Sequence, residues 1–186
     1  LAFSINDLRA NLNFGGARPT LFTVQLTLPS GVNNAAAARK FTISCEATEL
    51  PSDNVGVIGV PYFGRVIKYA GDRTFNPWSV TLVNDEDFLV RDSLESWSSL
   101  MNTRVSNLRD APSSSAEFYK SSAEITQYGR TGDVLRKYTV QGLWPREIEA
   151  IQLNWGEQDQ IEKYRVTFEF DWFDVDGKTG RGGRTR

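Results

Sequence analysis

Histidine is absent from this chain of 186 residues. That removes the commonest general base near neutral pH and the commonest metal ligand, and with them every Ser-His-Asp or Cys-His mechanism. Cysteine occurs once, at Cys45, so neither an internal disulfide nor a cysteine zinc site can form. No charge sign is in excess: 21 Lys and Arg against 23 Asp and Glu leave a formal −2. Nothing in that balance draws the chain over long range to nucleic acid or to an anionic membrane. Apolar runs fall far short of the roughly 20 residues that span a bilayer, and residues 1–15 lack the basic start and apolar stretch of a signal peptide. No direct membrane insertion is expected, and a reducing cytoplasm, or something assembled there, is the expected compartment. Large apolar side chains, by contrast, are plentiful. Forty per cent hydrophobic and 12 % aromatic residues suit one well-buried core in a chain of this length. A single domain is expected over 1–173, followed by a basic, glycine-rich extension over 174–186 that carries Lys178, Arg181, Arg184 and Arg186 and too few apolar residues to fold unaided.

Alternation of apolar and polar residues dominates the chain. After an N-terminal arm over 1–18 with Phe3, Ile5, Leu8, Leu12 and Phe14 as apolar anchors, strands are predicted over 21–28, 41–48, 65–70, 75–83, 120–128, 135–141, 148–155 and 164–172. In the second, Phe41, Ile43, Cys45 and Ala47 form one face and Thr42, Ser44, Glu46 and Thr48 the other. Residues 29–40 read as a loop inserted between the first two strands. Residues 50–64, with two prolines and three glycines among valines and aromatics, read as a long irregular loop that is partly apolar. Gly71-Asp72 is the expected turn between the third and fourth strands.

Over 85–101 the period changes. Val90, Leu94, Trp97 and Met101 form one helical stripe, with Asn84 as the expected N-cap and Asp85, Glu86 and Asp87 in the first turn. A loop follows over 103–117. The last strand sets Tyr164, Val166, Phe168, Phe170 and Trp172 on one face, which makes Trp172 a predicted core residue. The expected fold is mainly β: an antiparallel sandwich or barrel of about eight strands, one helix between the fourth and fifth, and extended arms at both ends.

Candidate chemistry does not survive inspection. Asp85-Glu86-Asp87 fits the start of a helix better than a divalent-cation shell, because no further carboxylates are spaced to complete one. Gly177-Lys178-Thr179 resembles the end of a phosphate-binding loop, but Trp172 stands where the leading glycine is required. Gly56, Gly59 and Gly64 lead to neither the lysine nor the helix that a nucleotide needs. No catalytic group, cofactor, metal or small-molecule ligand is expected.

Several segments carry a family likeness. Ala70-Gly71-Asp72-Arg73-Thr74-Phe75, then Trp78, then Val83-Asn84-Asp85-Glu86, closely resembles the signature of tail tube proteins from contractile-tailed bacteriophages, as does Gly142-Leu143-Trp144-Pro145. Ala17-Arg18-Pro19, Leu21-Phe22, Leu50-Pro51 and Tyr128 extend the likeness over roughly 3–173. The stretch 29–40, the loop over 103–117 and the tail after Phe173 depart from it.

The resemblance implies a non-enzymatic virion protein, assembled in the host cytoplasm, that forms six-fold rings. The rings stack into a tube inside a contractile sheath, and the fold is shared with the tube of type VI secretion systems. Implied partners are further copies of the chain, the sheath, baseplate and tail terminator proteins, and, in the lumen, a tape measure protein and genomic DNA without sequence-specific binding.

In the family the inner wall is built from the second and third strands and the two after the helix. The alternation then points Thr42, Ser44, Glu46, Lys68, Ser122, Glu124, Thr126, Lys137, Thr139 and Gln141 into the channel, a wall rich in hydroxyls, free of aromatics and balanced in charge. Pro51, Val55, Val57, Ile58, Val60, Tyr62 and Phe63, helped by Phe3, Ile5 and Leu8, are expected to dock on the adjacent ring. Two other readings stay open: a tube of a contractile injection or secretion system, and a monomeric carbohydrate-binding or hydrolytic β-sandwich.

Overall fold

The computed structural model describes residues 5–12, 16–32, 34–109, 115–156 and 158–177. Phe3, Phe14, Pro112 and the basic tail from Lys178 onward lie outside them.

Among the described residues the chain forms nine strands and four helices: α1 (Ile5–Asn11), β1 (Phe22–Leu26), a 3₁₀ turn (Ser30–Val32), α2 (Ala35–Ser44), β2 (Cys45–Thr48), β3 (Asp53–Tyr62), β4 (Arg65–Phe75), β5 (Trp78–Val83), α3 (Leu89–Met101), α4 (Ala116–Tyr119), β6 (Ser121–Tyr128), β7 (Val134–Ile148), β8 (Lys163–Glu169) and β9 (Trp172–Gly177). All pairing is antiparallel. The fold is mainly β, as the alternation predicts.

The long strand β7 organises the architecture. Its first half pairs with β6 on one side and β9 on the other, and its second half pairs with β8. One sheet therefore runs β1-β6-β7-β9 and a second runs β7-β8-β5-β2. The ribbon formed by β7 with β8 and β9 bends where it passes between them. Gly142 sits at that bend with φ +71°, and a Cβ there would lie 2.1 Å from Asp171 Oδ2, so both the dihedral and the space require glycine.

The core lies between the two sheets and under α3. Val24, Ile125 and Val140 from the first sheet meet Trp78, Val80, Leu82, Val166 and Phe168 from the second, all essentially inaccessible to solvent. The predicted stripe Val90, Leu94, Trp97 and Met101 is buried along α3, and the Trp97 indole N–H donates to the Tyr119 carbonyl at 2.6 Å. Phe168 stacks on Trp78 at 5.5 Å and meets Phe41 edge-on at 6.5 Å.

Six local expectations differ from the structure. The segment predicted as loop followed by strand over 29–48 is mostly helix. Four consecutive alanines favour helix, the Asn34 side chain caps the turn by accepting from the Ala37 N–H at 3.1 Å, and Ala37 and Phe41, four apart, share the buried face. Phe41 to Ala47 fits a period of two as well, but a core placement of Ile43 fails: it is 86 % exposed. Cys45 is half-buried at the helix end and packs on the core, where burial pushes its thiol up to about 12.

The irregular loop over 50–64 is instead strand β3, paired along its length with β4. Its β-branched and aromatic residues favour strand, and Phe63-Gly64, at φ +44° and +78°, makes the two-residue turn of a hairpin. Gly71-Asp72 is not a turn but a bulge opposite Gly56. A Cβ on Gly71 would approach the Gly56 backbone to 3.1 Å, so the two strands cross closely there.

The helix begins later than predicted, at Leu89 behind Phe88 in a left-handed conformation. Asn84, nearly buried, donates instead to the Glu162 carboxylate at 2.8 Å. Finally, residues 149–155 are not strand: β7 runs on to Ile148, and a loop follows to Glu162. The last strand breaks at Asp171, which reverses the parity after it. Phe173 and Val175 pack on the core while Trp172 is 51 % exposed.

Candidate interaction surfaces

Three surfaces present the residues that the sequence singles out, and one acidic cluster lies beside them. The carboxylates of Asp85 and Asp87 close on the Lys40 ammonium, with Asp87 at 2.6 Å. The hydrogen bond that Lys40 donates to Asp85, and then that to Asp87, hold Lys40 above its ordinary value, and Lys40 in turn holds both acids below theirs. A lysine thus occupies the space between the acids, and among the described residues no His, Cys, Asp and Glu cluster is arranged to hold a metal ion.

The first surface is the solvent side of the β1-β6-β7-β9 sheet. Residues paired directly across strands share a face. The pairs Ser122 with Gln141, Glu124 with Thr139 and Thr126 with Lys137 place six of the ten predicted channel residues on one face, Thr126 among them buried rather than open to solvent. Glu124 and Lys137 form an ion pair at 2.7 Å. Strand β1 adds Thr23 and Gln25. Strand β9 adds Trp172, Asp174 and Asp176 opposite Gln141, Thr139 and Lys137.

Asp174 and Asp176 escape the sequence reading because the chain after Phe173 reads as tail, although Phe173 and Val175 alternate with the polar positions; Trp172 escapes it because the parity of Phe168 and Phe170 assigns it to the core until the strand breaks at Asp171. They change the character of this face. It holds one exposed indole, and three acids outnumber its one lysine. The other four predicted channel residues are elsewhere: Thr42 and Ser44 lie on α2, Glu46 pairs with Lys163 at 2.6 Å, and Lys68 lies on β4 in the hairpin.

The second surface is the β3–β4 hairpin, which carries Val55, Val57, Ile58, Val60, Tyr62 and Phe63 of the predicted stacking residues, with Pro51 buried just before it. Beyond the bulge, Ile58, Val60 and Tyr62 stand with Tyr69, Ile67 and Arg65 on one face, and Val57, Gly59 and Pro61 stand with Ala70, Lys68 and Val66 on the other. Every one of these residues is exposed. Apolar side chains are therefore presented to solvent on both faces of an arm that extends on the order of 30 Å. The third surface is α1, whose Ile5 and Leu8 are exposed along with the rest of the helix.

The motif residues that carry the family likeness sit where these parts join. Arg73 pairs with Asp53 across the base of the hairpin, and Thr74 Oγ1 donates to the Asn54 carbonyl at 3.4 Å. Phe75 packs on Phe170 and Phe173. The buried Trp78 donates from its indole to Thr48 Oγ1 at 2.9 Å and to the Glu49 carbonyl at 2.8 Å. Gly142-Leu143-Trp144-Pro145 forms the ribbon bend, with Leu143 and Pro145 buried. These residues anchor an arm and shape a corner.

The chain is similar to proteins of known kind. The tail tube protein gp19 of Enterobacteria phage T4 is 33 % identical over 159 residues, covering 85 % of this chain and 91 % of the T4 protein. The tail tube protein of Serratia phage KSP90 is 24 % identical over 169 residues, covering 90 % and 94 %. Among solved structures, a chain of the anti-feeding prophage baseplate superposes with a TM-score of 0.62 at 12 % identity, covering 88 % of this chain and 97 % of that one. A chain of the PVC extracellular contractile injection system sheath-tube complex gives 0.54 at 13 %, covering 95 % and 99 %; both likenesses are of fold. The family model for phage tail tube proteins matches residues 17–176, which span both sheets, the hairpin and α3, and this chain accordingly belongs to the phage tail tube protein family.

Proposed function

We propose that this protein is a structural subunit of the inner tube of a contractile phage tail, forming six-fold rings that stack into a conduit for the genome. The observation that carries the reading is the β3–β4 hairpin. An arm apolar on both faces gains little from its own chain and is stabilised only when other copies cover it. The first sheet supports ring closure. Strands β1 and β9 end it with one partner each among the described residues, leaving two rims of backbone N–H and C=O groups that a closed ring completes.

In that ring the polar face of the first sheet lines the channel. Its charge excess is negative and its one lysine is paired, so it repels phosphates rather than holding them, which suits passage of DNA without sequence-specific binding. The role is architectural rather than catalytic. Sheath, baseplate and tail terminator proteins are its partners outside and at the ends, a tape measure protein and DNA its partners inside, and the virion tail its location after assembly in the host cytoplasm. Negative-stain microscopy of the purified chain at high concentration tests this: hollow filaments are expected, and compact monomers alone, even with tail-initiating components supplied, would refute it.

A further inference from the structure

The hairpin needs a receiving surface, and the strand register locates one. Strand β5 pairs from Trp78 with Phe168 to Val83 with Lys163. The hairpin joins the domain at the Trp78 end. At the Val83 end, about 20 Å away along the strand, lies the loop between β7 and β8. Both ends of that loop are fixed: the Glu149 carbonyl accepts from Arg91 at 3.2 Å and the Glu162 carbonyl from the Asn84 N–H at 2.8 Å. Between them the loop frames an open cleft of about 1030 Å³ lined by Leu153, Trp155, Ile161 and Asp159 among others. Trp155 is 101 % exposed and Leu153 81 %.

We propose that this cleft receives the hairpin tip of a second copy of the chain. This rests on the tube reading and assigns the partner surface of its stacking contact. The tip is a convex apolar knob, with Tyr62 and Phe63 edge-to-face at 4.7 Å and Phe63 92 % exposed. Its charges are Arg65 and Lys68. The cleft lining carries Glu149, Asp159 and Glu162 against Lys163, and Lys163 is turned to Glu46. A cationic apolar knob therefore faces an acidic apolar hole, and Arg65 is placed to approach Asp159 or the Trp155 face. Knob and hole lie at opposite ends of one sheet, so the contact is heterologous. Repeated copy to copy, it extends an assembly along the strand direction instead of closing on itself.

Charge reversal tests the pairing in full-length protein. Arg65→Glu and Asp159→Arg, each alone, should form rings or short stubs at concentrations where the parent chain forms long tubes. An equimolar mixture of the two, or the double variant, should recover tube length by restoring an opposite-charge contact. A second readout places cysteines at Phe63 and Leu153 in one chain. A disulfide requires Cα atoms within about 7 Å, so mild oxidation of assembled tubes should give a ladder of linked chains on a denaturing gel, while the parent with Cys45 alone gives none. Single variants that build tubes of parental length, a mixture no better than its parts, or intact double-cysteine tubes without a ladder would each overturn the assignment and leave the tube reading standing. Failure of the parent chain itself to form tubes would instead remove the tube reading.

Discussion

Replacing Val57 and Ile58 by aspartate places one carboxylate on each face of the β3–β4 hairpin, since Val57 pairs with Ala70 and Ile58 with Tyr69 on opposite sides. In the isolated subunit these side chains are 68 % and 54 % exposed. Full burial of such a side chain contributes about 1.5–3 kcal/mol. With roughly half to two-thirds of that still available to a neighbouring copy, assembly gains about 1–2 kcal/mol from each residue, or about 2–4 kcal/mol per subunit. Aspartate forfeits this and adds the cost of desolvating a carboxylate. Six subunits per ring multiply the loss to at least roughly 12–24 kcal/mol at each ring junction. The monomer should scarcely notice, because neither residue belongs to the core and unfavourable strand propensity costs at most about 1 kcal/mol each. The expected result is a double variant with a far-UV spectrum and Tm close to the parent, sedimenting as free subunits or rings, with no long tubes in micrographs. Tubes of parental length would refute the assembly role of the hairpin; a collapsed Tm would show that the arm is part of the domain's own stability.

Three further outcomes follow from the geometry. Gly142→Ala forces a side chain into φ +71° and against Asp171, whose carboxylate also holds Lys120 at 2.7 Å; a loss of about 1–3 kcal/mol is expected in urea unfolding, and an unchanged midpoint would remove the ribbon bend as the reason for this glycine. Lys40→Met removes the cation that lowers Asp85 and Asp87. Acids held below their ordinary value contribute stability that is complete above it and lost as pH falls through the folded-state value, whereas Lys40, held up, contributes throughout the range below its own. The parent should therefore lose slightly more stability than the variant as pH falls below about 4, a small difference because the pair is exposed, and equal slopes in urea midpoint against pH would contradict the link. Lysines in place of Glu124, Asp174 and Asp176 turn the proposed channel wall cationic; tubes of that variant should retain duplex DNA with a marked dependence on salt, while equal retention by the parent would contradict the repulsive wall.

Local periodicity carried much of this protein in plain view. The stripe from Val90 to Met101 specified α3 and its buried face, and alternation from Ser121 to Tyr128, from Leu135 to Gln141 and from Tyr164 to Phe168 specified strands, their faces and the mainly β class, because side-chain direction follows directly from a backbone period of 3.6 or 2. Six residues of the polar face were legible for the same reason. The motif around Gly71 and Gly142 made the family legible as well. Where two periods fitted one segment, only packing decided. Phe41 to Ala47 alternates like a strand, yet Ala37 and Phe41 gain burial together only on a helix, and that tertiary gain set the conformation of Thr42 and Ser44.

Pairing partners are not local either. Nothing in Leu50 to Gly64 taken alone shows that β4 lies opposite it, so an apolar segment with glycines and prolines reads as irregular until its partner is in place. The same holds for β9, where the alternation of Phe173 and Val175 with Asp174 and Asp176 is too short to mark a strand until β7 offers it an edge. Which hydrogen bonds are made across the chain, and hence that the hairpin arm and the loop holding Trp155 fall at opposite ends of one sheet, was settled by the tertiary structure, since register is a contest among distant segments that no neighbouring residue can decide.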